Sequence, residues 1–207
     1  MLKKIILVPV LICLLAACAS LKGGSRMPKK LSEKEYLSWY ESTAYPFRDT
    51  VKLEGITYVC ALIPRQLEIA RQLNNQLIQK EEAKQLLLEK EDMLQFQLQI
   101  MLPQTGTDVL HYKLKQGEDV SSRTSYFSFG IKKDLYLKYS NADSTDCSSL
   151  HFEKGISNLP ISRLMFYFPY KNEAVRSVVF NTQIFSASSI SFGFKELKTT
   201  DLPKLNL

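Results

Sequence analysis

Apolar and polar side chains alternate most strictly between residues 93 and 102 of the chain. Leu, Phe and Ile occupy every second position there, and Gln or Met lies between them. A period of two predicts a β-strand with one buried and one solvated face. Shorter runs of the same kind predict further strands at residues 50–63, 135–139, 148–153, 162–169, 177–185 and 189–196.

Helical patterns lie mainly in the first half of the chain. Ser32 followed by Glu35 is typical of a capping box, so a helix is predicted to begin there. Pro64 favours the start of a second helix, because its missing N–H costs least in the first turn. The apolar stripe of that helix extends to about Lys90, with a break predicted near Asn74.

These elements predict an α+β fold: an antiparallel β-sheet or sandwich of about six or seven strands, with two or three helices mostly in the first half. The regular β-α-β spacing of a doubly wound parallel sheet is missing from the sequence. Residues 109–129 fit either a helix or a strand. Gly55 separates two apolar runs of opposite phase, which indicates a bulge or a sharp bend within the strand at 50–63.

The N-terminus has a positively charged start, an apolar run from Ile5 to Leu15, and small residues that lead to Cys18. The run is shorter than the roughly 20 residues that span a bilayer, so a cleaved signal is predicted. The segment Leu15-Ala16-Ala17-Cys18 closely resembles the lipobox of bacterial lipoproteins. The resemblance implies that the Cys18 thiol takes a diacylglyceryl group, that the chain is cut before this cysteine, and that the new amino group is acylated.

The predicted organisation is a signal peptide at 1–17, a lipidated and basic tether at 18–30, and one globular α+β domain at 31–207. Ala19 and Ser20 follow the lipobox without an aspartate. By resemblance to the sorting preferences of Gram-negative lipoproteins, this implies an outer-membrane anchor that faces the periplasm. The alternative is an ordinary secreted protein in which the lipobox cysteine is incidental.

The formal net charge of the 207-residue chain is +6, and part of this excess lies in the tether at Lys22, Arg26, Lys29 and Lys30. These cations either attract anionic headgroups or belong to a solvated linker. Neighbouring Gly, Ser and Pro residues favour the linker. Charges elsewhere alternate in sign, and an exported protein rarely meets DNA, so nucleic acid is not an expected partner.

Two cysteines, Cys60 and Cys147, lie beyond the lipobox. The oxidising envelope compartment favours a disulfide between them. Cys60, however, shares the phase of the apolar residues on its predicted strand, which favours a buried free thiol. The sequence leaves both interpretations open, because it does not fix the distance between the two residues.

The sequence contains no Gly-x-Ser-x-Gly turn, Gly-rich phosphate loop, Cys-x-x-Cys pair or His-Glu-x-x-His run. No catalytic residue, metal site or cofactor is therefore predicted. His151 and Glu153 would share one face of a strand, where an imidazole and a carboxylate could meet, with His111 as a further candidate. A solvent-facing pair on an exposed sheet is the simpler interpretation, and we favour it.

Tyr and Phe residues are frequent in the second half of the chain, where they either fill the core or line a ligand-binding face. Most of them lie in alternating runs, which favours the core.

Residues 45–207 loosely resemble the small, uncharacterised lipoproteins of Bacteroidetes-type bacteria. Cys147, residues 150–153 and the Phe-rich strand before the last proline carry this resemblance, which implies no known activity. The expected function is that of a membrane-anchored, non-enzymatic interaction protein or accessory subunit that binds another envelope protein. A ligand-binding lipoprotein for a glycan or peptide is the alternative. A hydrolase that uses His151 and Glu153 is the third hypothesis.

Overall fold

The computed structural model describes residues 29–89, 91–104, 106–153, 160–181, 184–185 and 189–207. Within these ranges the chain forms eleven β-strands in three sheets and four α-helices, together with two short 3-10 helices. The protein is therefore α+β, as the sequence predicts. The signal-like segment and Cys18 lie outside the described residues.

The elements follow one another along the chain with most helices between the early strands. The strands are β1 (Lys30–Leu31), β2 (Arg48–Leu53), β3 (Ile56–Ile63), β4 (Met93–Met101), β5 (Leu135–Tyr139), β6 (Ser144–Asp146), β7 (Ser149–Glu153), β8 (Ile161–Pro169), β9 (Val175–Phe180), β10 (Ile190–Leu197) and β11 (Lys204–Leu205). The helices are α1 (Glu33–Glu41), α2 (Arg65–Asn74), α3 (Lys80–Leu88) and α4 (Val120–Ser128).

The largest sheet has five strands in the order β2-β3-β4-β8-β7, and each neighbouring pair is antiparallel. The strand at the centre of this sheet, β4, is the one whose alternation is strictest in the sequence. Its even-numbered residues are buried and its odd-numbered residues are half-buried along the whole strand. The alternation therefore gives the sheet one inner, apolar face and one outer, polar face.

A second sheet, in the order β10-β9-β5-β6, packs against the inner face of the first. The ring of Phe194 on β10 lies 5.9 Å from that of Phe96 and 6.0 Å from that of Phe47, measured between centroids. Gly193 N also donates a hydrogen bond of 2.8 Å to Asp49 Oδ2 on β2. Aromatic side chains from both sheets thus fill one shared core.

Helices α1 and α2 pack against each other beside the five-stranded sheet. The predicted capping box at the start of α1 is confirmed, since Ser32 N donates to Glu35 Oε2 at 2.9 Å. Tyr36 and Tyr40 on the buried side of α1 are 0 % and 5 % exposed. The second predicted helix is divided into α2 and α3, which confirms the break predicted near Asn74.

The predicted strand at 50–63 is in fact a β-hairpin made of β2 and β3. Leu53 and Ile56 are register partners, so the turn consists of Glu54 and Gly55 alone. Both turn residues have positive φ angles, 50° and 83°. This geometry matches the right-handed twist of the flanking strands, and it favours glycine at the second position. The sharp change of direction is therefore a chain reversal and not a bulge inside one strand.

The number of strands exceeds the predicted six or seven. One reason is the division of residues 50–63, and the other is three strands of two or three residues, namely β1, β6 and β11. Such short strands are too brief to show a period of two. The four α-helices of the described ranges also exceed the predicted two or three. Three of them lie in the first half, as predicted, and α4 occupies part of the ambiguous segment 109–129.

The two ends of the described domain are joined by a small parallel sheet of β1 and β11. Lys204 N donates to the carbonyl of Lys29 at 3.0 Å, and Asn206 N donates to that of Leu31 at 2.7 Å. Leu205 N donates a further hydrogen bond to Gln66 Oε1 on α2. The start of the domain is thereby fixed to α2 through the C-terminal residues.

Candidate functional site

A groove of about 440 Å³ lies over the outer face of the five-stranded sheet, beside α1 and α2. Its floor comes from three strands, β3, β4 and β8, and its sides come from the two helices and β2. We call it the arginine groove. It is lined by Tyr40, Glu41, Arg48, Val59, Ala61, Arg71, Gln97, Gln99 and Arg163.

The strand register arranges the floor of the groove in two rows that cross the strands. One row consists of Arg48, Ala61 and Gln97, which are successive register partners on β2, β3 and β4. In the next row Gln99 is the register partner of Arg163 on β8. Residues two apart on one strand point to the same face, so both rows belong to the polar outer face.

Arg48 connects the groove to the C-terminal end of α1. Its Nη2 donates a hydrogen bond of 2.7 Å to the carbonyl of Tyr40, and its Nη1 donates one of 3.3 Å to that of Glu41. The last carbonyls of a helix have no partner within the helix and carry partial negative charge. The guanidinium also lies 4.9 Å from the centroid of the Tyr40 ring. Arg48 therefore stabilises the helix end as well as lining the groove.

Arg71 reaches the same end of the groove from α2. Its guanidinium lies 5.6 Å from the centroid of the Tyr40 ring, on which Arg48 also stacks. Its nearest carboxylate in the described residues is Glu68 on its own helix, at 3.8 Å. An exposed pair of this length contributes little to stability. Arg71 thus keeps most of its hydrogen-bonding capacity for a ligand.

Arg163 lies on the opposite side of the floor, on β8. Its side chain is exposed, and its register partners are Gln99 on β4 and Glu153 on β7. Among the residues that line the groove, Glu41 is the one carboxylate, against three guanidinium groups. The groove therefore has an excess of positive charge.

Two amide side chains lie between the arginines. Gln99 Nε2 donates a hydrogen bond of 3.0 Å to Gln97 Oε1, and Gln97 Nε2 approaches Met165 Sδ at 3.6 Å. A thioether sulfur is a weak acceptor. A ligand oxygen would replace it as a better partner for the Gln97 amide.

The chemistry of these side chains is suited to binding anionic oxygens. Guanidinium groups pair with carboxylates and phosphates through two parallel hydrogen bonds, and amides bind hydroxyl or carbonyl groups. Burial raises the pKa of the Tyr40 hydroxyl, which keeps the hydroxyl protonated and neutral. The lining thus offers hydrogen-bond donors and positive charge.

His151 and Glu153 lie on the same face of β7, as their spacing predicts, at the edge of the five-stranded sheet. His151 is exposed opposite Met165, and Glu153 is half-buried opposite Arg163. His111 instead binds Asp108, with 2.7 Å between Nδ1 and Oδ1. In the part of the chain that the structure describes, no three His, Cys, Asp or Glu residues form a group that could hold a metal.

Cys60 and Cys147 are both buried, and both are free thiols. Cys60 lies on the inner face of β3, and Cys147 lies in the short connection between β6 and β7. The disulfide that the sequence left open is therefore not formed. Burial raises the pKa of each thiol, because a thiolate would lose its solvation.

Most aromatic residues of the second half contribute to the core. Phe127, Tyr139, Phe166 and Phe168 are at most 1 % exposed, whereas Phe129 is 77 % exposed. The groove itself is lined by one aromatic residue, Tyr40, whose ring is covered by two guanidinium groups.

Sequence reasoning did not identify the arginine groove. Its three arginines come from β2, α2 and β8, and no local motif connects them. The available signal was the polar half of the β4 pattern, in which Gln95, Gln97 and Gln99 predict an outward face. That pattern shows where the sheet is polar but not which charged residues gather above it.

No protein-family model matches this chain, and no curated protein matches it by sequence. Among solved structures, a DUF4426 family protein from Pseudomonas aeruginosa PAO1 is 11 % identical, with 76 % of this chain and 96 % of that chain covered and a TM-score of 0.34. A protein of unknown function from Burkholderia pseudomallei K96243 is 10 % identical, with 78 % and 89 % covered and a TM-score of 0.35. Similarities this low establish neither a shared family nor a shared function.

Proposed function

We propose that the protein is a lipid-anchored protein of the cell envelope that acts by binding rather than by catalysis. The arginine groove is its binding site, and the ligand is acidic. The observation that carries this proposal is the convergence of Arg48, Arg71 and Arg163 on one polar cavity of ligand size. Carboxylate and phosphate groups are the partners that such a set of guanidinium groups recognises.

The groove favours binding of a small ligand over the role of an accessory subunit. Protein interfaces usually centre on exposed apolar or aromatic anchors. The groove floor instead consists of Gln97, Gln99 and Arg163, with small apolar side chains beside them. A cavity of about 440 Å³ also lies within the range of small-molecule sites, which is about 300–1,000 Å³.

The hydrolase hypothesis receives less support from the geometry. His151 is exposed on an edge strand, and its register partner is the thioether of Met165. A catalytic base normally lies in a cleft beside a nucleophile or an ordered water, where burial tunes its pKa. Glu153 is the register partner of Arg163 at the rim of the groove.

The anchor rests on the residue pattern at Cys18. None of the helices in the described ranges is long and apolar enough to cross a bilayer. In the proposed protein two or more acyl chains hold Cys18 in the membrane, since one chain binds only marginally. The tether then leads to β1 at Lys30–Leu31.

Metabolic labelling tests the anchor directly. The wild-type chain and a Cys18→Ser variant are expressed in a Gram-negative host with labelled palmitate. The wild type is expected to incorporate label and to fractionate with the outer membrane, while the variant incorporates none. Unlabelled wild-type protein would refute the lipid anchor, while the proposed ligand site would still stand.

Titration with simple anions tests the groove. Acetate, citrate and inorganic phosphate are added to the purified full chain in detergent, and binding is followed by calorimetry. We expect Arg71→Gln to weaken binding, while Arg176→Gln, which replaces an exposed arginine on β9, leaves it unchanged. Absence of binding for every anion, or equal binding by both variants, would overturn the proposed site.

A further inference from the structure

We infer that the arginine groove selects a ligand with two acid groups joined by a hydroxylated body, the chemistry of a sugar diacid. This inference rests on the proposed function and adds the number and placement of the acid groups. Three features of the groove carry it: a paired arginine end, a separate single arginine, and amide groups between them.

The first acid group meets Arg48 and Arg71. Both guanidinium groups lie on the Tyr40 ring, at 4.9 and 5.6 Å from its centroid, so they converge on one end of the groove. Arg48 is held there by the carbonyls at the end of α1. A fixed guanidinium loses little conformational entropy when an anion binds. This end is therefore a preformed anion site in which Arg71 supplies the freer donors.

The second acid group meets Arg163. Its strand, β8, is three positions away from β2 in the sheet, which places the two backbones about 14 Å apart. Arginine side chains extend from both strands toward the same cavity. A single small acid group cannot bind Arg163 and the Tyr40 end together at full strength, whereas a ligand with an acid group at each end can.

The body of the ligand lies over Gln97 and Gln99. Their amides already bind each other at 3.0 Å, which fixes their orientation. Gln97 Nε2 is directed at Met165 Sδ, which is a weak acceptor. A hydroxyl oxygen of the ligand would accept a stronger hydrogen bond from the same amide. The acceptor oxygen of Gln99 is available to a hydroxyl hydrogen. The centre of the groove thus favours a ligand body with hydroxyl groups over an alkyl chain.

The charge of the lining matches a dianion. Three guanidinium groups and the carboxylate of Glu41 leave an excess of two positive charges. Beyond the lining, Glu68 lies 3.8 Å from Arg71, and Glu153 is the register partner of Arg163. These carboxylates oppose the approach of further negative charge. A polyanion would meet these carboxylates at both ends, so the groove is suited to two acid groups and no more.

Three matched six-carbon probes test the inference with the full chain in detergent. Glucarate carries two carboxylates and four hydroxyls, gluconate has one carboxylate fewer, and adipate lacks the hydroxyls. We expect glucarate to bind about tenfold or more tightly than gluconate, the effect of one charge-assisted contact. Glucarate should also bind more tightly than adipate. 6-Phosphogluconate, which has a phosphate as its second acid group, should likewise bind more tightly than gluconate.

Single substitutions assign each preference to a residue. Arg163→Gln should remove the preference for glucarate over gluconate, because the second acid group loses its guanidinium partner. Gln97→Leu should remove the preference for glucarate over adipate. Arg176→Gln on β9 serves as the matched control, and each variant is first shown to have the wild-type melting temperature.

The outcomes separate this inference from the proposed function. Equal affinity for glucarate and gluconate in the wild type would overturn the two-acid inference, while an acidic ligand site would stand. Absence of binding for all probes and for the simple anions would overturn both. A preference for glucarate that survives in Arg163→Gln would overturn the assignment of the second acid group to Arg163.

Discussion

Arg123 on α4 binds Glu118 through two parallel hydrogen bonds, from Nε and from Nη2 to the two carboxylate oxygens. The arginine side chain is fully buried, while the Glu118 side chain is 21 % exposed. Arg123 Nη1 also donates hydrogen bonds of 3.1 Å to the carbonyls of Val109 and Tyr112. One side chain therefore holds the irregular segment before α4 against the helix.

Replacement of Arg123 should strongly destabilise the protein. Arg123→Ala removes the donors to the buried carbonyls of Val109 and Tyr112 and to Glu118 Oε1, and an unsatisfied buried acceptor costs about 1–3 kcal/mol. We expect a lower free energy of unfolding by about that amount in urea titrations. Arg176→Ala, which removes an exposed arginine on β9, should change it by less than about 0.5 kcal/mol. Equal effects of both substitutions would show that the network is not stabilising.

The same pair should make stability sensitive to acid. The hydrogen bonds from Arg123 lower the pKa of Glu118 from 4.5 to about 2. A carboxylate with a lowered pKa in the folded state contributes its full stabilisation above pH 4.5 and loses it as the pH falls toward 2. The free energy of unfolding should therefore decrease over this window. Glu118→Gln should decrease it at neutral pH and flatten the slope, and an unchanged slope in that variant would contradict this account.

Substitution of Arg48 should reduce the stability of the ligand-free protein more than substitution of Arg163. Arg48 supports the C-terminal carbonyls of α1 and stacks on Tyr40, so Arg48→Gln should cost about 1–3 kcal/mol. Arg163 is exposed, so Arg163→Gln should cost less than about 0.5 kcal/mol. Thermal denaturation of the two variants measures the difference. A large loss for Arg163→Gln would mean that this residue has a structural role.

The two thiols of the domain should be unreactive in the folded protein. Burial raises the pKa of Cys60 and of Cys147, so both remain protonated at pH 8, and reagents have little access to them. Iodoacetamide should modify both residues in urea and neither under native conditions, as measured by mass spectrometry. Rapid labelling of Cys147 in the native protein would indicate that the connection between β6 and β7 opens readily.

Truncation of two neighbouring residues on β4 should lower the free energy of unfolding by very different amounts. Phe96 points into the core, where its ring packs with those of Phe166, Phe168 and Phe194. Phe96→Ala should cost about 3–5 kcal/mol in the free energy of unfolding. Gln95→Ala, on the outer face, should cost less than about 1 kcal/mol. Urea titration of both variants tests whether inward-facing residues of β4 contribute more to the free energy of unfolding than outward-facing ones.

The elements that the sequence predicts well are those whose signals are local. The alternation at 93–102 and the capping box at Ser32 depend on neighbouring residues, and both are observed. The segment 109–129 was ambiguous because its order depends on Arg123, which binds carbonyls 11 and 14 residues away. A tertiary contact of this kind leaves no periodic trace in the sequence.

The candidate site was harder to predict than the fold for the same reason. Arg48 and Arg71 meet because α1 and α2 pack together, and Arg163 joins them through the register of β8 on β4. Each residue alone has the features of an ordinary surface arginine. Helix packing and the order of strands in the sheet together make them neighbours, and both are properties of the whole fold.

The parallel pairing of β1 with β11 determines how a force applied at the N-terminal side of the described domain reaches the rest of it. A pull on the chain at Lys30 would be carried first by the hydrogen bonds from Lys204 N to Lys29 and from Asn206 N to Leu31. Leu205 passes that load to Gln66 on α2, the helix that also carries Arg71. β11 thus holds β1 in place against the rest of the domain. If the proposed anchor holds the protein, loss of β11 would release β1 and uncouple the groove from the point at which the membrane holds the chain.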